Sequence, residues 1–554
     1  MANPVRITFL GGLGEIGRNC AAFELDGRIV LLDCGLMFPE ADMLGVDLVL
    51  PDFTWLRENA DRVDGCVLSH GHEDHVGALS FLLRELSFPI YGSALSLGIA
   101  RNRIEEAGLL QRTEFIAVED GERRRIGPFD VEFIPVTHSV PDGFATAWHT
   151  PQGVILHSGD WKLDLTPVDG RTTDLARIGQ IAASSGIRLL MADSTNAEEE
   201  GHTRSERSIG ASLRSLFASA RGQRIITACF ASHIHRIQQI ADVALAEGRM
   251  VATLGLSMKK NVRLAREMGL LRIPDRHLRD IDDVGDLPPG KVCIISTGSQ
   301  GEPLSALRRM AYRDHPQVEL RAGDTVVFSA TPIPGNERAV NDTIDRLYHV
   351  GADVVTTQDA PIHASGHGYQ EELKLMLNLT KPRYVMPVHG DFKRMMLHGR
   401  LAEAVGVDPA NVFRIENGQP LEIDAKGARL GDRVQSGMIF VDGVDIGDVT
   451  DVALRDRRML SADGIFIIVA TVSEQDGSSV VPPEVIARGV PFLDGNGAFV
   501  DELREAVEDA LDRAAEQRIT EIDQLQAMLH DDLAGFIYAR LKRRPMVLPV
   551  VVEV

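Results

Sequence analysis

The stretch SHGHEDH at residues 69–75 decides how the rest of the chain is interpreted. It follows directly on the apolar run GCVL, which is typical of a buried strand. Packing alone is a poor explanation for it, because each buried polar side chain would need a partner. His70 and His72 can point to one metal ion, and Asp74 and His75, in the first turn of the next helix, can reach a second. Imidazole nitrogen and carboxylate oxygen suit zinc or manganese.

Further metal donors are expected at other strand ends. Three candidates follow in order along the chain: His138 in PVTHSVPD, Asp160 in HSGDWKLD and His389 in PVHGDF. The predicted ligand sets are His70, His72 and His138 for one metal, and Asp74, His75 and His389 for the other, with Asp160 bridging the two. Asp33 in VLLDCG is predicted to support a ligand histidine. Paired divalent ions promote phosphoryl displacement by water, so the pattern indicates hydrolytic chemistry.

The composition is that of an ordinary globular protein. The 554 residues are 44% hydrophobic and 25% charged, with a mean hydropathy of -0.04. No apolar run reaches the roughly 18 residues of a membrane span, and the amino terminus lacks the features of a signal peptide, so we expect a cytoplasmic protein without membrane association. The net charge of -22 argues against a nucleic-acid partner if taken alone, but it does not exclude a local basic channel. Scattered cysteines without a C-x-x-C pair argue against a disulfide framework.

The pattern of apolar runs divides the chain into domains. Residues 1–205 and 366–450 carry strands that end in His or Asp, which predicts one layered α/β domain with its polar chemistry at one sheet edge. Residues 206–365 alternate helix and strand, which is typical of a doubly wound unit with a parallel sheet inserted into the first domain. Residues 451–554 predict a small α+β carboxy-terminal domain.

The order of these motifs resembles that of the metallo-β-lactamase superfamily. The segment ADSTNA with Asp193, the segment HASGH at residues 363–367, and PVHGDF resemble its β-CASP branch, whose members cut nucleic acids. The runs ASHIHR, STGSQGEPLSALRRM, TPIPGNE and RRPMVLPVVVEV are similar to ribonuclease J over essentially the whole chain. The resemblance implies an α/β fold: an αββα metallo-β-lactamase sandwich with an inserted doubly wound β-CASP domain and a small α+β C-terminal domain.

The resemblance also implies a reaction and the residues that carry it. A two-metal ribonuclease with 5′ to 3′ exonuclease activity on 5′-monophosphate RNA, and with endonuclease activity, would act in rRNA maturation and mRNA decay. His367 would be the general acid, oriented by Asp193; the residues alone leave open a helix cap for Asp193 and a buried structural role for His367. The implied substrate contacts are Ser232, His233, Ile234, His363, Ala364, Ser365, Gly366 and His367. A simple helix-capping loop is the alternative for HASGH.

Basic clusters that could line an RNA path are Arg123–Arg125, Lys259–Lys260, Arg308–Arg309 and Lys393–Arg394. In an acidic chain such clusters are more often solvated faces. A structural calcium ion held by Asp47, the Val49 carbonyl and Asp442 is a further hypothesis, with ordinary surface turns as the alternative. The resemblance implies a homodimer or homotetramer to which the carboxy-terminal domain contributes, and we also consider other RNA-degradation proteins, a helicase or a second nuclease, as partners.

Three other functions compete with the RNA-cleaving hypothesis. A β-CASP nuclease acting on DNA and a hydrolase of small esters or thioesters share the fold, which alone would not separate them. A thioesterase would have no need of the long insertion. A scaffolding subunit would be marked by lost ligands, whereas all seven predicted metal donors are present here.

Overall fold

The structure is a computed structural model that describes residues 3–40, 42–302, 304–333, 335–443, 445–447, 450–490 and 497–554. Contacts within it define two compact units. One comprises the residues up to 38 together with 48–439, and the other comprises 39–47 together with 440–554. Among the described residues, no helix is both long and apolar enough to cross a membrane.

The first unit is built around two mixed β-sheets. The first sheet has the strand order Ala428–Leu430, Leu421–Ile423, Val5–Gly11, Cys20–Leu25, Arg28–Leu32, Val63–Val67, Ile90–Gly92, Phe115–Ala117. The second has the order Tyr384–Val388, Ile187–Asp193, Gly153–His157, Gly143–Thr150, Phe129–Val136, Arg123–Ile126. The short strands Leu13–Gly14 and Gly390–Asp391 pair in parallel. The strand Leu48–Pro51 also belongs to this unit.

The apolar core of this unit lies between the two sheets. Phe23 stacks on Trp148 with ring centroids 3.9 Å apart, and Phe129 meets both rings edge-on. Along the strand FDVEFIPV the side chains alternate: Val131 faces this core, whereas Ile134 faces a second core on the outer side of the sheet. Both faces of the strand are therefore buried, which explains the continuous apolar run FIPV in its second half.

Helices cover the outer faces of the sheets. Helices Glu73–Val76, Leu79–Leu82 and Ala94–Glu106 pack together beside the first sheet, and Leu175–Ser184, Gln370–Thr380 and Phe392–Ala404 pack on the second. A further short helix is Thr54–Glu58. This helix–sheet–sheet–helix layering confirms the predicted sandwich.

The insertion predicted at residues 206–365 is part of the first compact unit and is called the inserted unit below. It contains a parallel sheet. Its strand order is Leu278–Arg279, Met250–Leu254, Val292–Ser296, Ile225–Ala228, Thr325–Phe328, Asp353–Val355. Its helices are Ile209–Ser219, Ile234–Ala246, Leu256–Glu267, Ala306–Ala311 and Glu337–Val350. Leu307 and Leu347 share a core with Ile226 and Ile294 on one face, while helix Ile234–Ala246 packs against the same sheet. The predicted doubly wound insertion is confirmed.

The second unit is a small α+β domain. Its sheet has the order Ser479–Arg488, Ile465–Val472, Met546–Glu553. Helices Gly497–Glu516 and Ile522–Leu541 share one core with this sheet, and the unit also contains helix Asp451–Asp463 and the strand Asp445–Ile446, which pairs with Met438–Asp442. The predicted domain boundaries, at 205/206, 365/366 and 450/451, remain our proposal.

The sheet topology gathers polar residues at one edge of the sandwich. Strands Gly153–His157, Ile187–Asp193 and Tyr384–Val388 run in parallel, so their carboxyl ends meet on the same side. Asp160, Asp193 and His389 lie at or just beyond those ends. His389 has a φ of 52°, in the left-handed region that a non-glycine residue rarely adopts.

Candidate metal centre

The first set of predicted donors converges at this edge. Nδ1 of His72 lies 3.1 Å from Nε2 of His70 and 3.1 Å from Nε2 of His138. Together with a carboxylate oxygen of Asp160, these atoms all lie within 4.8 Å of one another. The three nitrogens come from two loops that are distant in sequence, so the fold itself assembles the set.

The second set lies beside the first. Oδ2 of Asp74 is 3.1 Å from Nε2 of His389 and 3.5 Å from Nε2 of His75. Oδ2 of Asp160 is 3.3 Å from Nε2 of His75 and 3.5 Å from Nε2 of His70. Asp160 is therefore shared between the two sets, the position that the sequence predicted for a bridging ligand.

Hydrogen bonds at Nδ1 orient two of the histidines as metal ligands require. Nδ1 of His138 donates to the Gly366 carbonyl (2.8 Å), and Nδ1 of His75 donates to Asp33 (2.8 Å), which is the support predicted from the sequence. Nε2 is therefore the nitrogen of each ring that can bind a metal ion once it carries no proton, and it faces the other predicted ligands. Ligands of a tetrahedral ion at 2.0–2.1 Å lie about 3.4 Å apart, close to the distances found here. The donor set is therefore compatible with divalent metal ions.

Side chains that the sequence analysis did not single out hold these ligands in place. The Ser69 hydroxyl donates to Asp33 (2.7 Å) and lies 3.0 Å from Nδ1 of His70. The Thr195 hydroxyl donates to Asp193 (2.7 Å) and lies 2.8 Å from Nδ1 of His389. Ser69 and Thr195 lie within the motifs SHGHEDH and ADSTNA. Their position next to predicted site residues is the sequence feature that could have identified them as supports.

Asn19 is another supporting residue, and its amide nitrogen lies 3.1 Å from Nε2 of His75. It also donates to the carbonyl of Asp74 (3.1 Å). Asn19 lies in the glycine turn before the strand Cys20–Leu25, far in sequence from every metal donor. No local pattern marks it, because its role arises only from the pairing of distant strands.

Metal uptake is expected to release protons. Burial lowers the pKa of His389, but the carboxylates of Asp160, Asp193 and Asp74 outweigh burial and raise that pKa to about 10. For His75, burial is likewise outweighed by Asp160, Asp74 and Asp33, and its pKa lies well above the ordinary value. Both side chains therefore carry a proton near neutral pH before a metal binds, and a metal ligand must lose it.

The measurement is calorimetric titration of metal-free protein with Mn²⁺ in buffers of different ionisation enthalpy. About two protons should be released per protein, and the apparent affinity should rise by up to roughly tenfold per pH unit for each proton displaced. The variant His530→Gln, which changes an exposed histidine, should behave like wild type. An affinity independent of pH between about 6.5 and 8 would contradict the protonation pattern.

His367 and Asp193 form a pair next to both donor sets. Nδ1 of His367 lies 2.7 Å from Oδ2 of Asp193, and its ring centroid lies 4.8 Å from that of His138. Burial acts against the charged imidazole, but Asp193 outweighs it and raises the pKa of His367. Oδ1 of Asp193 also accepts from the Thr195 N–H (2.9 Å), so one carboxylate both closes a turn and orients the histidine.

The segment HASGH is held by Asn196 of the turn after Asp193 and by Arg236 of the inserted unit. The Asn196 amide donates to the Ser365 hydroxyl (2.8 Å) and to the His367 carbonyl (2.9 Å). Arg236 of the inserted unit donates to the Ile362 carbonyl (2.8 Å) just before the segment. The helix that follows is capped by Tyr369 and Glu372, whose carboxylate accepts from Tyr369 N–H (2.8 Å). The residues of HASGH itself are therefore not the helix cap.

Two histidines, His363 of this segment and the buried His233 of the inserted unit, have lowered pKa values. Burial, followed by the positive charges of Arg236 and Lys162, lowers the pKa of His363 to about 3. The pKa of His233 is also lowered, first by burial and then by Arg236. Ser232 and His233 directly precede helix Ile234–Ala246, whose first residue, Ile234, is buried. Both imidazoles are therefore neutral near pH 7, and Arg236 beside them is itself paired with Glu206 (2.7 Å).

A cleft of about 630 Å³ lies between helix Ala94–Glu106 and the inserted unit. Glu73, which stands between two predicted ligands, lines it together with Phe38, whose side chain is 47% exposed. Its basic residues are Arg103, Lys259, Lys260 and Arg309, of which Arg103 pairs with Glu73, Lys260 with Glu106 and Arg309 with Asp314. An exposed aromatic ring beside basic side chains is typical of grooves for single-stranded nucleic acid.

The other predicted basic clusters lie against acidic groups. Arg123 pairs with Asp130 at 2.5 Å, and both Lys393 and Arg394 pair with Glu198. Asp442 accepts from Arg457 (2.7 Å), Asp47 accepts from the Gly443 N–H (2.8 Å), and the Val49 carbonyl accepts from Met37 N–H (2.8 Å). The oxygens considered for calcium therefore have protein partners, and the calcium site stays a hypothesis.

The chain matches family models along most of its length. These are the Metallo-beta-lactamase superfamily (residues 13–192), the Ribonuclease J, beta-CASP domain (222–347), the Zn-dependent metallo-hydrolase RNA specificity domain (355–412) and the Ribonuclease J C-terminal domain (452–554). A crystal structure of a protein of unknown function from Enterococcus faecalis covers 76% of this chain and 100% of its own, with a TM-score of 0.53 and 15% identity. That likeness concerns the fold alone.

The fold and the paired donor sets define a hydrolase of the metallo-β-lactamase superfamily with a β-CASP insertion. Ribonuclease J2 of Bacillus subtilis is 39% identical over 550 residues, covering 99% of each chain. Ribonuclease J of Mycobacterium tuberculosis is 40% identical over 551 residues, covering 99% of this chain and 97% of its own, and that of Thermus thermophilus is 40% identical over 556 residues, covering 99% and 95%. The chain belongs to the ribonuclease J family. It is a hydrolytic, metal-dependent ribonuclease.

Proposed function

We propose that the protein degrades 5′-monophosphate RNA stepwise from 5′ to 3′, cuts RNA internally as well, and acts in rRNA maturation and mRNA decay. The observation that carries this proposal is the position of His367 between the HASGH segment and the predicted metal ligands. This residue ends the HASGH segment and pairs with Asp193 beside both donor sets. A group that grips a terminal phosphate and a group that can deliver a proton are thus adjacent to the metal donors.

The metal donors provide the site for the attacking water. His70, His72 and His138 would hold one ion, Asp74, His75 and His389 the other, and Asp160 would contact both. Zinc and manganese both suit this donor set. When bound, the ions lower the pKa of water and offset the charge of the phosphodiester.

His367 supplies what the metal ligands do not, namely a proton for the leaving oxygen. Asp193 binds Nδ1, so Nε2 is the nitrogen free to donate to the substrate. The carboxylate fixes the orientation of the ring and favours its protonated form. We therefore assign His367 as the general acid and Asp193 as the residue that orients it.

The segment His363–His367 would hold the 5′-phosphate. Backbone N–H groups and the Ser365 hydroxyl can bond phosphate oxygens, with Ser232, His233 and Ile234 approaching from the inserted unit. If the terminal phosphate binds there, the first phosphodiester bond lies over the metal donors, which gives stepwise removal of nucleotides. Internal cleavage then corresponds to RNA that passes along the cleft without using this segment.

The proposal is tested with RNA that carries either a 5′-monophosphate or a 5′-hydroxyl, next to DNA of the same sequence, with Mn²⁺ or Zn²⁺ and with chelator. Mononucleotides should be released from the monophosphate RNA at least roughly tenfold faster, since one charge-assisted hydrogen bond contributes about 1.5 kcal/mol. Chelator should abolish the release.

The other outcomes separate the competing functions. Cleavage of DNA alone would indicate a β-CASP nuclease acting on DNA. Hydrolysis of small esters without nuclease activity would indicate a small-ester or thioester hydrolase. Bound metals without any hydrolysis would indicate a scaffold. Cytoplasmic location, a homodimer or homotetramer, and association with a helicase or a second nuclease stay predictions from the sequence.

A further inference from the structure

Glu372 is a buried carboxylate next to the site, with only 1% of the residue exposed. It is the third residue of helix Gln370–Thr380, and its Oε2 accepts from the N–H of Tyr369 (2.8 Å). This bond alone would be an ordinary capping interaction, in which a glutamate in the first helical turn satisfies a free N–H group.

The carboxylate also bonds two segments that lie far away in sequence. Oε1 accepts from the N–H of Leu163 (2.8 Å), and Oε2 accepts from the N–H of Thr203 (2.8 Å) and lies 2.7 Å from the Thr203 hydroxyl. Leu163 and Thr203 are 209 and 169 positions from Glu372. A capping residue has no need of these bonds.

Each bonded segment carries part of the proposed active site. Leu163 follows Asp160, the shared metal donor, by three residues, and the carbonyl of Trp161 between them accepts from Gly368 N–H (2.8 Å). Thr203 follows the Asp193 turn, and its hydroxyl lies 2.8 Å from the His367 carbonyl. Tyr369 comes two residues after His367.

We propose that Glu372 is a positioning residue that fixes the Asp160 segment, the Asp193 segment and HASGH relative to one another. This inference rests on the proposed function for its consequence but not for its geometry. Both carboxylate oxygens accept, which is what three converging N–H groups require. A glutamine amide at this position would place its own N–H group against one or more of these backbone N–H groups.

The matched pair of variants is Glu372→Gln and Glu371→Gln. Both remove one carboxylate from the same helical turn, but the Glu371 side chain is exposed and pairs with Lys374 (2.6 Å) at the surface. Amide hydrogen exchange in Glu372→Gln should become at least about tenfold faster at Leu163, or at Thr203 together with Tyr369, because the amide keeps one acceptor oxygen and presents an N–H donor to the other side. Glu371→Gln should exchange like wild type. Faster exchange confined to the start of the helix would show an ordinary cap and overturn the proposal.

The functional measurement uses folded, metal-loaded protein below its unfolding temperature. Glu372→Gln should raise KM for 5′-monophosphate RNA and reduce its preference over 5′-hydroxyl RNA by roughly tenfold, whereas a purely stabilising residue would shift only Tm. An unchanged KM and preference would overturn the proposal. If Glu372→Gln does not fold, Thr203→Val, which keeps the backbone bond but removes the hydroxyl, should show a smaller loss in the same direction. Hydrogen exchange is measured without RNA. If the wild type shows no RNase activity, the proposed function is refuted, but the exchange result still decides whether Glu372 is a positioning residue.

Discussion

The variant His75→Ala is expected to lose RNA cleavage by roughly a thousandfold or more, because a metal site contributes several kcal/mol of transition-state stabilisation and each 1.36 kcal/mol is tenfold in rate. Removing His75 deletes one donor of the second set and leaves Asp33 without the imidazole it bonds. The shared donor Asp160 also loses a neighbour at 3.3 Å. One substitution therefore disturbs the ligand set and its support together.

This prediction is checked by measuring cleavage rate and metal content on the same sample. Metal bound per chain should fall from two ions towards one, in parallel with the loss of activity. His530→Ala, at an exposed position, serves as the histidine control. Normal activity of His75→Ala with two ions still bound would contradict the assignment of this ligand.

The variant His367→Ala is expected to lower kcat by about a hundredfold to ten-thousandfold, the usual contribution of a general acid, while metal content stays unchanged. The reason is chemical: the leaving 3′-oxygen must take up a proton, and His367 is held by Asp193 at 2.7 Å to provide it. Asp193→Asn should show a loss of similar direction, because the ring is no longer fixed in orientation.

A modified substrate separates this role from a structural one. In RNA with sulfur in place of the bridging 3′-oxygen, the leaving group departs without a proton. His367→Ala should cleave that bond at nearly the wild-type rate. An equal loss on both substrates would show that His367 acts in binding or folding, and the general acid would have to be sought elsewhere.

The convergence of the candidate metal ligands could be predicted, because each stands in a short motif at the end of an apolar strand. The supports behind them could be predicted only in part. Asp33 was expected because it ends a strand, whereas Asn19 touches His75 only after distant strands have paired. Glu372 is hidden for a related reason: in sequence it is one acidic residue in the first turn of a helix, and two of its partners are backbone groups more than a hundred positions away.

The substrate side shows the same limit. Of the predicted basic clusters, Lys259 and Lys260 line the cleft and Arg123 and Lys393 do not, although Lys260, Arg123 and Lys393 all pair with carboxylates. Charge runs alone cannot separate the two cases, because acidic partners come from other segments. The place of Phe38 in the cleft could not be predicted, because a single exposed aromatic residue forms no sequence pattern.

The order in which the donors occur along the chain has a consequence for biosynthesis. The strand Tyr384–Val388 and the following His389 complete the second sheet and the second donor set, and about 320 residues separate His389 from His70. At the usual 5–20 residues per second, a ribosome needs roughly 15 to 60 seconds to cover that distance. Throughout this interval the nascent chain holds an unfinished catalytic centre. The ribosome has thus translated most of the coding sequence before the enzyme can cut the messenger RNA that encodes it.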